Sequence, residues 1–91
     1  MNKIKIGAFD YKVIEKDDVN IDGVLKLGTF DYTNQTIEIK TGLTKDRKRQ
    51  TLLHEIIHCI DDEYIVGLEE DQIERLTSGL LQVFRDNKGV I

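Results

Sequence analysis

The chain has 91 residues, 40% hydrophobic and 33% charged, with a formal net charge of −4. That length suits one small domain over residues 1–91, and the acidic balance argues against a nucleic-acid-binding surface. No run approaches the roughly 20 apolar residues of a membrane span, so neither a membrane nor a nucleic acid is an expected partner.

Met1 to Gly7 alternates polar and apolar residues without an apolar run, so it does not read as a secretion signal. The single cysteine, Cys59, has no partner for an internal disulfide, and a reducing, cytoplasmic compartment is expected. Ile4 and Ile6, then Phe9, Tyr11 and Val13, form period-two runs separated at Gly7, which predicts a hairpin. Asp17 to Gly23 reads as a loop. Val24, Leu25, Leu27, Phe30 and Tyr32 suggest a third strand kinked at Gly28. After a turn at Thr33-Asn34-Gln35, Thr36 to Lys40 alternates as a fourth strand.

Gly42 ends the strand region and Thr44 is a plausible N-cap for a helix from about Lys45 to Asp61. Its basic start, Lys45-Asp46-Arg47-Lys48-Arg49, is ordinarily a solvated face, and is also the best candidate for docking an acidic partner. A connection, Asp62 to Leu68, leads to a last helix from about Glu69 to Asp86, with Ile73, Leu76, Leu80 and Phe84 as its buried face. Strands followed by helices predict an α+β fold, with the helices packed on an antiparallel sheet of about four strands.

The first helix carries the chemistry. Its segment His54-Glu55-Ile56-Ile57-His58 is an H-E-x-x-H pentad and contains both histidines of the chain. Histidines four apart lie on one helical face and can close on a single zinc ion. The glutamate between them can take a proton from water bound to that ion. Leu53, Ile56, Ile57 and Ile60 form the expected core stripe, with His54, His58 and Asp61 along its flank. Cys59 points about 100° away from His58 and reads as a small buried residue.

Catalytic zinc takes three protein ligands and one open position, so the third ligand should be a carboxylate. Asp61 lies one turn too far along the same helix and fits only an orienting role. Glu70 projects toward the first helix and is the expected ligand. Glu69 is a further candidate, and Glu74, further round, is the alternative third ligand or could instead orient a histidine.

Three segments resemble the gluzincin metallopeptidases, and among them small phage and mobile-element proteins related to the ImmA/IrrE peptidases. Leu27 to Ile39 resembles the hairpin before their active-site helix, and Thr51 to His58 resembles the metal-binding helix. Glu70 to Leu76, with Gly79 to Asn87 after it, resembles the glutamate helix. The resemblance implies a zincin-like fold, zinc held by His54, His58 and Glu70, and Glu55 as general base. It also implies a protein substrate, such as a phage-type repressor. Larger relatives carry additional segments around the site that are missing here. With no third histidine to steady an oxyanion, Tyr64, Tyr32 or Tyr11 would have to serve.

The expected function is thus a zinc-dependent metallopeptidase, a hydrolase acting on a polypeptide. The alternatives are a non-catalytic zinc-stabilised module that binds a protein partner and, with only the basic run in its favour, a nucleic-acid-binding accessory protein.

Overall fold

The computed structural model describes residues 3–90, and its first element pair is the hairpin that Gly7 permits. Strands β1 (Lys3–Ile6) and β2 (Phe9–Lys16) pair antiparallel, with Ile6 opposite Phe9 across a two-residue loop. Gly7 opens that loop at φ +60°, a conformation that tight hairpins need and that glycine adopts without a Cβ penalty.

The expected loop over residues 17–23 contains a strand. Strands β3 (Val19–Ile21) and β4 (Val24–Lys26) make a separate hairpin. Asp22 and Gly23 turn it, both with positive φ, as the Asp-Gly pair favours. The expected third strand is therefore divided. Its first part is β4, and its second is β5 (Gly28–Asp31), which turns back antiparallel into β6 (Thr36–Lys40). The Asp31 carboxylate braces that turn by accepting hydrogen bonds from the Asn34 backbone N–H (3.1 Å) and side-chain amide (2.8 Å).

The main sheet runs in the order β1-β2-β6-β5 and is mixed rather than antiparallel, because β2 and β6 pair parallel from Lys12↔Thr36 to Lys16↔Lys40. Antiparallel neighbours need only a short turn, whereas the chain leaves β2 on a crossover through residues 17–35 and returns in the same direction. Strand β6 is interior, and the edges are β1 and β5.

Helix α1 (Lys45–Tyr64) covers one face of this sheet. Thr44 caps it, its side-chain oxygen accepting the Arg47 N–H at 3.2 Å. Ile6, Tyr11, Ile37, Ile39 and Cys59 form the buried core, with Phe30, Leu52 and Ile56 packed around it. Alternation in β6 puts Ile37 and Ile39 on that face and Glu38 on the other.

Helix α2 (Glu70–Asp86) packs chiefly on α1, so α1 lies between the sheet and the second helix. This narrows the buried face of α2. Ile73 and Thr77 are buried, but Leu76 and Phe84 are exposed where a wider stripe was expected. In α1, Ile57 is buried and Ile60 is exposed, because Leu52, Ile56 and Cys59 form the stripe toward the sheet. Among the described residues, no helix is long and apolar enough to cross a membrane.

Candidate metal centre

His54 and His58 lie one helical turn apart on α1, with ring centroids 4.9 Å apart and planes tilted by 59°. The helix cannot roll freely, being held to the sheet by Leu52, Ile56 and Cys59. Phe30 of the edge strand stacks on the His58 imidazole at a centroid distance of 5.1 Å, the planes 17° apart. That contact fixes one ring orientation with an apolar neighbour.

Glu70 is brought to the histidines by the connection between the helices. Asp61, on the histidine flank of α1, turns its carboxylate into that connection and accepts the N–H groups of Gly67 (2.7 Å) and Leu68 (3.0 Å). Ile65 ends α1 in the left-handed region at φ +51°. Glu69 then starts α2 through a capping box, its N–H donating to Gln72 Oε1 at 2.8 Å. Glu70 follows at the first helical position.

Its two carboxylate oxygens meet the two imidazoles, Oε1 at 2.7 Å from His54 Nε2 and Oε2 at 3.0 Å from His58 Nε2. His54, His58 and Glu70 each offer a donor atom, all within 4.8 Å of one another, and could hold a metal ion. Without an ion, each Nε2 holds its carboxylate contact as a hydrogen bond only while protonated. Two imidazoles and a carboxylate are the donor set of many catalytic zinc sites. Ligands bound at about 2.0–2.2 Å with tetrahedral angles stand roughly 3.4 Å apart, and donors within 4.8 Å of one another are close to that spacing.

Glu55 is almost fully buried, at 7% exposure. It lines a cleft of about 350 Å³ with His54, between Gly28 and Lys26 on one side and Glu74 and Ser78 of α2 on the other. Burial pushes its carboxyl up to about 7, with His54 pulling it down and Glu70 raising it. A carboxyl titrating near neutrality on the wall of a cleft is suited to taking and giving protons.

Other residues fall differently from expectation. Tyr11 is fully buried and donates its hydroxyl to Glu63 at 3.0 Å; Tyr64 lies against Gly7 of the β1–β2 hairpin. Tyr32 is exposed beyond β5, and none of the three tyrosines lines the cleft. Glu74 lines the cleft but is not in the converging group. Cys59 is fully buried and outside that group, its thiol pushed up to about 12 by burial. Lys26 of β4 was not expected in the cleft, and Gly28, expected only as a kink in a strand, lines it as well. Compared with protein-family models, curated protein sequences and solved structures, the chain matches none.

Proposed function

We propose that the chain is a zinc peptidase of gluzincin type, with a zincin-like arrangement of sheet, pentad helix and glutamate helix. The observation that carries this reading is the convergence of His54, His58 and Glu70 beside the buried Glu55. Those three residues would hold the ion, and zinc there would supply Lewis acidity to the cleft. Glu55 would take a proton from the attacking water and return it to the leaving amine. Its buried position excludes bulk water from that transfer. Lys26, whose charge reaches Glu55, is a cleft cation available to negative charge developing on the carbonyl oxygen.

The strand Thr36–Lys40 is interior, so an extended substrate would add to the edge strand β5. The Lys40 N–H donates to the Leu27 carbonyl at 2.8 Å, which sets the phase of the ladder. Gly28↔Ile39 and Phe30↔Ile37 are then the non-hydrogen-bonded pairs, and Gly28 and Phe30 point their N–H and C=O groups away from β6. An extended peptide can pair with them.

One alternative has an observation of its own. The Glu70 contacts tie α2 to α1 across a small interface, so zinc could serve as a staple in a non-catalytic module that binds a protein partner. Either reading requires the metal. Equilibrium dialysis should give about one zinc per chain for wild type and a loss of at least tenfold in affinity for His58→Ala. Unchanged zinc affinity in His58→Ala would exclude both.

A further inference from the structure

The geometry points to an acidic stretch on the C-terminal side of the scissile bond as the substrate feature that this cleft selects, an inference resting on the peptidase reading above. The cleft holding His54, Glu55 and Lys26 extends to Arg47. From Arg47 a second hollow of about 370 Å³ continues along α1 and α2 to Arg49 and Arg85. Arg47, Gln50 and Ser78 line both, so the two form one groove from the metal donors toward the start of α1.

The far end of this groove has a definite charge. Three arginines line it against one carboxylate, Asp46. Arg85 is paired with Asp86 at 3.1 Å, but the Arg47 guanidinium donates to the neutral Gln50 Oε1 at 2.6 Å. Among the described residues, Arg47, Arg49 and Lys26 make no salt bridge. The N-terminal dipole of α1 adds positive potential at the same place. In a chain of net charge −4, this is a local reversal of sign, and it complements an acidic peptide.

Distance and direction fix which residues of the substrate arrive there. Arg47 precedes His54 by seven residues of helix, about 10 Å, or about three residues of extended peptide. Strand β5 runs beside α1 in the same direction, since Gly28 lies against Thr51 and Phe30 against His58. A peptide added antiparallel to β5, the more stable pairing, runs from the His58 end toward Arg47. Its third and fourth residues after the scissile bond therefore meet the arginines.

The test uses the full-length Glu55→Gln chain loaded with zinc and fluorescein-labelled decapeptides read by anisotropy. The peptides carry Glu-Glu, Gln-Gln or Lys-Lys at the third and fourth positions after a central bond, and a further peptide carries Glu-Glu before it. Wild-type cleavage of the same set is read by mass spectrometry. The Glu-Glu peptide should bind roughly tenfold tighter than the Lys-Lys peptide. Adding Arg47→Glu and Arg49→Glu should reverse the order, and adding Lys5→Glu on the far edge of the sheet should not. Equal binding of all peptides, an unchanged order in the double arginine variant, or preference for Glu-Glu before the bond overturns the inference. So does a labelled oligonucleotide that outbinds the Glu-Glu peptide through Arg47. Indiscriminate cleavage by wild type keeps the peptidase and removes the charge selection. Arginine-dependent binding of Glu-Glu without cleavage keeps the selection and removes the peptidase.

Discussion

The Phe30 ring lies nearly parallel on the His58 imidazole, 5.1 Å away, so the edge strand also holds one of the three converging candidate donors. Removing the ring in Phe30→Ala leaves both histidines and Glu70 in place but frees His58 to rotate. Zinc affinity should fall by about tenfold, as expected for loss of a group that orients a ligand, with the stoichiometry still one. Calorimetric titration measures both. Unchanged affinity would show that the stacking does not orient the ligand.

Gly28 leaves α1 no slack. A Cβ at this position would stand 2.6 Å from Thr51 Cγ2, closer than real carbon contacts allow, and a tight 3.2 Å from the Glu38 carbonyl oxygen. Gly28→Ala must push β5 away from the helix, and overpacking of this kind costs about 1–3 kcal/mol. Because Phe30 moves with the strand, zinc affinity should fall along with the melting temperature. A stability loss with unchanged zinc binding would separate the strand from the site.

Much of this architecture is legible in the sequence where the signals are local. Thr44 marks the start of α1, Thr36–Lys40 shows its alternation, and the pentad spacing places two donors on one face. The β3–β4 hairpin was also marked, by Asp22-Gly23 between Ile21 and Val24, but the surrounding Asp and Asn residues read as loop. The parallel pairing of β2 with β6 left no mark, because it joins segments more than twenty residues apart. Leu76 and Phe84 follow helical periodicity and are exposed all the same, since their helix rests on one neighbour rather than on the sheet. Periodicity gives a face; what covers that face is a tertiary fact.

The metal-free protein should show an inverted carboxylate effect at Glu55. Its folded carboxyl is raised to about 7 from 4.5, so the stability it contributes is fully present below about pH 4.5 and is lost as pH rises through 7. Metal-free Glu55→Gln escapes that loss. Its advantage over wild type should grow from near zero at pH 4 to about 1–3 kcal/mol at pH 8. Urea unfolding across this range checks it, and a constant difference between the two proteins would contradict the buried carboxyl.

Glu70 touches both histidines, while Glu74 only lines the cleft. Glu70→Gln should therefore weaken zinc binding by about tenfold or more, and Glu74→Gln by much less. Competition with a coloured chelator ranks the two. The reverse order would mean that α2 presents a different face to the metal.

Cleavage itself is the most direct test. Zinc-loaded wild type and zinc-loaded Glu55→Gln are incubated with a peptide library digested from a whole proteome, and new termini are counted by mass spectrometry. Wild type should cut. Glu55→Gln should keep its zinc and fold yet cut about 10²–10⁴ times more slowly, because an amide of the same shape cannot carry the proton. Equal cutting by both proteins, or no cutting by wild type with zinc in place, would contradict the peptidase.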